Sequence, residues 1–286
     1  MTEPATAAQL LEQGLFHHRQ GEFALALERY VEVLRNDPQN PDALYYVAAV
    51  ACQDGQFKEG VALARRAISF GATQARVHNL LGKALDRLGD PLEAIKCFDQ
   101  AIATDPKFAE AHGNRANILV DAGLHDEALK SFERALALDP ASGSDWLNRG
   151  ALLQDLGRSD EAIASYDHAL ALDPDFAVAH LNRATILNEL GRWQDALAGY
   201  DRAIALAAQV AEAHSGRAFA LKGLGRLDEA LAGADRAIGL NPDLPVAHKT
   251  RASILQAMGR GEEARVSAER AAALEAQAPP APSQGP

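Results

Sequence analysis

Five histidines, His78, His112, His180, His214 and His248, stand at one phase of a 34-residue spacing, with Trp146 in the sixth place between 78 and 248. Regularly spaced imidazoles point first to metal ligation or acid–base chemistry. A single ion, however, needs its ligands about 2 Å away, and equivalent residues on neighbouring packed helices stand roughly 8–10 Å apart. The five are therefore read as half-buried flat rings. His17 and His18 are adjacent in a helix and point in different directions. Cys52 and Cys97 are far apart and form no C-x-x-C, so neither a zinc site nor a disulfide framework is expected. G-x-x-x-x-G-K-[ST], H-E-x-x-H and G-x-S-x-G are all absent. No catalytic residue, metal ligand or cofactor is assigned.

The elements that position these residues follow from the same period. Gly21, Gly55, Gly89, Gly123, Gly157, Gly191, Gly225 and Gly259 are each 34 residues from the next. A glycine held at one phase implies a helix end that needs positive φ. Acidic pairs such as Asp126-Glu127 and Asp160-Glu161 follow, in the first turn of a second helix, where the macrodipole favours them. Asp37-Pro38, Asp105-Pro106, Asp139-Pro140, Asp173-Pro174 and Asn241-Pro242 close their blocks, because proline cannot continue a helix. Within the fifth block, Ala162, Ile163, Tyr166, Ala169 and Leu170 keep helical apolar spacing. A small residue five positions after each glycine lets the two helices of a block approach, and Tyr30, Phe98, Phe132, Tyr166 and Tyr200 fill the space beside it.

Composition agrees. Hydrophobic residues are 48%, enough for a core, and aromatics only 6%. The formal charge of −11 argues against a nucleic-acid backbone as partner. No apolar stretch approaches the roughly 18 residues of a membrane span, and no secretory leader is visible, so a cytoplasmic location is expected.

A second correlation crosses block boundaries. Asp99, Glu133, Asp167, Asp201 and Asp235 are each followed sixteen residues later by an arginine: Arg115, Arg149, Arg183, Arg217 and Arg251. Where the acid is missing the arginine is missing too, as at Val31 and Val47. This pattern predicts ion pairs between the second helix of one block and the first helix of the next, each worth about 0–1 kcal/mol if partly exposed.

The 34-residue unit, with a small residue at its eighth and twentieth positions and proline at its thirty-second, resembles the tetratricopeptide repeat. The resemblance covers residues 7–278 without a gap. It implies an all-α fold, a right-handed superhelical solenoid of eight helix–turn–helix repeats at 7–40, 41–74, 75–108, 109–142, 143–176, 177–210, 211–244 and 245–278. Residues 1–6 are expected to be a disordered start, and 279–286 a proline-rich disordered tail. Alanine replaces the proline at Ala72 and Ala208.

In that family the first helix of each repeat lines a concave groove. Reading the groove positions here gives Asn114, Asn148 and Asn182 in consecutive blocks, beside Asn117, Gln154, Thr185 and Asn188. A carboxamide both donates and accepts, so it can pair with a peptide unit without reading its side chain. A step of about 10 Å per repeat against about 3.3 Å per extended residue brings one asparagine to every third peptide unit. The arrangement resembles the asparagine ladder in the repeat region of O-linked N-acetylglucosamine transferases. Leu11, Leu15, Tyr45 and Tyr46 form an apolar stretch at equivalent positions near the N-terminus.

These readings lead to a non-enzymatic scaffold or adaptor whose partner is a protein or peptide segment held in the groove, with no nucleic acid or membrane involved. Two alternatives stay open: a recognition arm associated with a glycosyltransferase-type catalytic domain, and a self-associating scaffold.

Overall fold

The computed structural model describes residues 5–277. The proline-rich tail at 279–286 and the first four residues of the expected disordered start lie outside the described residues. Among the described residues the regular structure is all helical, and the chain divides into two compact units, Met1–Ala141 and Ser142–Pro286.

The first unit holds α1 (Ala7–Arg19), α2 (Phe23–Asn36), α3 (Pro41–Gln53), α4 (Phe57–Ser69), α5 (Ala75–Arg87), α6 (Pro91–Thr104), α7 (Ala109–Asp121) and α8 (His125–Leu138). The second holds α9 (Gly143–Asp155), α10 (Ser159–Leu172), α11 (Ala177–Glu189), α12 (Trp193–Leu206), α13 (Ala211–Gly223), α14 (Leu227–Leu240), α15 (Pro245–Ala257) and α16 (Gly261–Gln277). Every odd helix begins on the first residue of a 34-residue block, and every even helix begins sixteen residues later. Within each unit an odd helix packs on the even helix that follows it, and that even helix on the next odd one. Among the described residues no helix is long and apolar enough to cross a membrane.

The punctuation has clear causes. All eight period glycines sit at φ between 71° and 81°. At the end of α9, Gly157 N–H donates to the Gln154 carbonyl at 2.9 Å and Arg158 N–H to the Leu153 carbonyl at 2.8 Å. This is the paired closure of a Schellman motif, which needs a left-handed residue. Thr6 caps α1 with a reciprocal bond to Gln9.

The Asp-Pro turns work differently from a simple stop. Asp105 Oδ1 accepts the Lys107 N–H at 2.9 Å, and Asp173 Oδ1 the Asp175 N–H at 3.0 Å, so the carboxylate bridges the proline and shapes the turn. The phased histidines complete it. His112, His180 and His248 place Nε2 at 3.2, 2.9 and 2.9 Å from the carbonyls of Pro106, Pro174 and Pro242, and His214 at 3.0 Å from that of Ala208. Four of the five expected flat rings are thus also locks between a turn and the helix after it. His78 and His112 have lowered pKa values, chiefly because burial penalises the imidazolium.

Close helix approach explains the core. Ala26, Ala94, Ala128, Ala162, Ala196 and Ala230 are fully buried, as are Tyr30, Phe132 and Tyr166. A Cβ on Gly150 would lie 2.6 Å from Tyr166 Cε1, so the ring occupies the space that any side chain there needs. The division into units falls where the third helical position carries Asp145; Ala111, Ala179, Ala213 and Ala247 are fully buried at that place in other repeats.

The sixteen-residue charge correlation is present as geometry. Arginine Nε lies 2.7 Å from Oδ1 in Arg115–Asp99 and 2.6 Å in Arg183–Asp167, Arg217–Asp201 and Arg251–Asp235. Glu133 and Arg149 fall one in each unit, and that pair stands as a sequence expectation.

Candidate functional site

Each unit carries a cavity, and odd helices supply most of both walls. The cavity of the first unit, about 580 Å³, is lined mainly by α3, α5 and α7, including Cys52, Lys83, Arg87, Asn114 and Asn117. The cavity of the second unit, about 640 Å³, is lined mainly by α11, α13 and α15, including Asn182, Thr185, Asn188, Glu189, Glu212 and Phe219, with Gln154 from α9. Both fall in the size range of ligand pockets, about 300–1,000 Å³.

The structure divides the seven polar residues singled out in the sequence. Gln154, Asn182, Thr185 and Asn188 meet in the second cavity, Asn114 and Asn117 in the first. Asn148 stands on α9 and is not among the residues lining these two cavities.

Several of these side chains are already engaged within the protein. Asn114 Nδ2 donates to Asn79 Oδ1 at 3.0 Å. Gln154 Oε1 accepts from the Tyr166 hydroxyl at 3.1 Å. Asn188 Nδ2 donates to the Tyr200 hydroxyl at 3.2 Å and to the Gly216 carbonyl at 2.8 Å. Thr185 Oγ1 donates to the Leu181 carbonyl at 3.0 Å and accepts from Tyr200 at 3.2 Å. The amides therefore present only their remaining donors and acceptors. Their second task is to satisfy hydroxyls that the core rings carry inward. A signal for this was in the sequence: Gln154 and Asn188 each stand twelve residues before a tyrosine, whereas Val120 stands twelve before Phe132.

The two cavities differ in charge. In the first, Lys83 Nζ lies 2.9 Å from Glu110 Oε1, and the Arg87 guanidinium lies 5.0 Å from the Phe57 ring centre. Burial raises the Glu110 carboxyl, but bonds from Lys83, Asn79 and Asn114 outweigh it and hold the group below the usual range. In the second, Lys249 Nζ lies 2.5 Å from Glu275 Oε1. Glu189 and Glu212 have no ion-pair partner among the described residues. Both acids lie at groove positions, where amides, a threonine and apolar residues were singled out in the sequence but no carboxylate.

The N-terminal apolar stretch is partly filled. Leu11 packs into the core between α1, α2 and α3, and Leu15 is half-buried. Tyr46 stacks on Tyr30 with ring centres 4.9 Å apart. Arg76 covers both remaining faces, 4.7 Å from the Tyr45 ring centre and 5.2 Å from that of Tyr46, and donates to the Tyr46 hydroxyl at 3.1 Å.

Comparison with known proteins follows the same repeat. Profiles described as tetratricopeptide repeat match residues 17–84, 79–143, 145–176, 165–198 and 189–245. The curated proteins contain no match. Among solved structures the chain is similar to YrrB, titled a TPR protein with an unusual peptide-binding site, at 22% identity and a TM-score of 0.59, over 64% of this chain and 95% of that one. It is similar to PilF of Pseudomonas aeruginosa at 19% identity and a TM-score of 0.67, over 76% of this chain and 98% of that one. A chain of the APC/C hetero-tetramer Cut9–Hcn1 matches at 17% identity and a TM-score of 0.62, over 88% of this chain and 50% of that one. At such identities the likeness is one of fold.

Proposed function

The chain belongs to the tetratricopeptide repeat family, whose members in general mediate protein–protein interactions, and on that premise we propose that it is a non-enzymatic adaptor holding a peptide or protein segment in the cavities between its odd helices. One observation carries the reading: repeat-equivalent positions line a cavity in each unit. A wall that recurs suits a ligand that recurs, and a polypeptide backbone does so. YrrB, similar in fold, is described as having a peptide-binding site.

Magnitudes assign the energetic roles. A backbone hydrogen bond contributes about 0.5–1.5 kcal/mol net, while micromolar affinity requires about −8 kcal/mol. Amides that also serve core hydroxyls cannot supply that alone. In the second cavity, Leu181, Phe219 and Val246 offer apolar surface beside Asn182 and Thr185, worth about 25 cal/mol for each Å² buried. Apolar side chains of the ligand thus supply most of the affinity, and the amides set its register.

Selection from a displayed random-peptide library tests the reading. Enriched peptides should bind the wild-type chain and lose binding to Val246→Trp, which fills the mouth of the cavity from a position 48% exposed. Failure to enrich any peptide, or undiminished binding to this variant, contradicts it.

A further inference from the structure

A residue on the wall of the second unit's cavity, Asn188, carries a buried polar atom that the protein leaves unanswered. Asn188 is only 5% exposed. Its Nδ2 donates to Gly216 and Tyr200, Tyr200 donates to Thr185, and Thr185 donates to the Leu181 carbonyl. This relay decides which way the amide is flipped, because turning it over would set Oδ1 against the Gly216 carbonyl, acceptor facing acceptor. Asn188 Oδ1 is closed to solvent and has no hydrogen-bond partner among the described residues. Such an acceptor raises the free energy of the empty site, and a ligand that brings an N–H recovers the loss.

The first unit shows what else is missing. There Glu110, second residue of α7, meets Lys83, ninth residue of α5, at 2.9 Å. Glu212 holds the same place on α13, but the ninth residue of α11 is Thr185. Glu189, the last residue of α11, adds a second carboxylate on the cavity wall. The lysine in this wall, Lys249, is already neutralised by Glu275. Two carboxylates without cations therefore share a cavity with a buried acceptor and with the apolar side chains of Leu181 and Phe219.

We propose that this cavity takes a peptide segment with a lysine or arginine next to an apolar residue. The ligand's cation supplies in trans, beside Glu212, the charge that Lys83 supplies within the first unit, and Glu189, near the other end of the wall, adds negative charge to the same cavity. A ligand N–H meets Asn188 Oδ1 after a modest turn of the amide, and the apolar residue lies on Leu181 and Phe219. The inference rests on the peptide-binding reading above and narrows it to one class of sequence.

Two pools of fluorescein-labelled octapeptides test it by anisotropy. Both carry a fixed leucine, followed by lysine in one pool and glutamate in the other; the remaining positions are randomised among alanine, serine and glycine. The lysine pool should bind at least about tenfold more tightly, equivalent to about 1.4 kcal/mol. That preference should vanish in Glu189→Gln/Glu212→Gln, which leaves the chain strongly acidic overall. It should also vanish in Thr185→Lys/Tyr200→Phe, which copies the Lys83 and Phe98 arrangement of the third repeat. Equal binding of the two pools, or a preference that survives both variants, overturns the inference and leaves peptide binding intact. Binding of neither pool overturns it as well; the library selection, which imposes no charge, then decides whether the cavity takes a peptide at all. Circular dichroism of each variant confirms that the helices are retained.

Discussion

Arg251 holds two neighbours at once: its Nε lies 2.6 Å from Asp235 Oδ1 on the preceding helix, and its Nη1 donates to Ser267 Oγ, on the following one, at 2.7 Å. Ser267 in turn donates to the Glu263 carbonyl at 3.1 Å, so the guanidinium ties three successive helices together. Arg115 has the same arrangement with Asp99 and Ser131. Arg217 keeps its acid, Asp201, at 2.6 Å, but Gly233 stands where the serine would be.

That difference predicts unequal costs. Arg251→Ala should destabilise its neighbourhood by about 1–2 kcal/mol more than Arg217→Ala, because it also removes a hydrogen bond from a charged donor. The Asp201–Arg217 pair by itself should show a coupling of only about 0.2–1 kcal/mol in a double-mutant cycle, since both groups are partly exposed and screened. Native-state hydrogen exchange along α12 and α13 for Arg217, and along α14 and α15 for Arg251, reads the two costs, and equal values would remove the serine from the account.

The turn locks make a second prediction. His180→Phe keeps a flat ring but deletes the bond to the Pro174 carbonyl, and should cost about 0.5–1.5 kcal/mol. Faster exchange of the amides at the start of α11 checks it. A silent substitution would return the histidine to simple ring packing.

Glycines separate by environment. Gly157→Ala forces φ of +71° on a residue with a Cβ, at a cost of about 1–2 kcal/mol. Gly150→Ala drives a methyl into Tyr166 and should cost about 1–3 kcal/mol through overpacking. Gly239, in α14 with open space around its Cα, should gain up to about 1 kcal/mol on change to alanine. Thermal unfolding followed by circular dichroism ranks the three, and the predicted order is Gly239→Ala above wild type, with both other variants below it.

Stability should also depend on mild acid. Burial lowers His18, His78 and His112 from their ordinary value of 6.5, and all three lie in the first unit. A histidine whose folded pKa is depressed binds its proton more readily when unfolded. Its contribution is complete above pH 6.5 and is lost as pH falls through that value toward the lower, folded one. Hydrogen exchange compared at pH 7.0 and 5.5, corrected for intrinsic rates, should show loss of protection in α1, α5 and α7. Unchanged protection there would contradict the assignment.

The legible and illegible parts of this chain differ in kind. Helix phase was plain because glycine with positive φ, proline and small-residue packing act through the backbone and recur with it. The Asp–Arg ties were legible because both partners changed together from block to block. Side-chain direction within a helix was not. Asn188 faces the cavity and also serves the Tyr200 hydroxyl; the groove position shows the first role, and the second is visible only in the twelve-residue spacing to a tyrosine. The Asp105 and Asp173 carboxylates, the histidine–carbonyl locks and the serines beyond Arg115 and Arg251 are likewise short-range geometry. Their residues were visible; their partners were backbone atoms or groups on a third helix.

The position of the ligand is the central matter, and photo-crosslinking measures it directly. A benzophenone amino acid placed at Phe219, on the wall of the second cavity, should crosslink a library-selected peptide, and one at Leu172, 45% exposed on α10, should not. Crosslinking at Leu172 with none at Phe219 would place the peptide elsewhere and contradict the account.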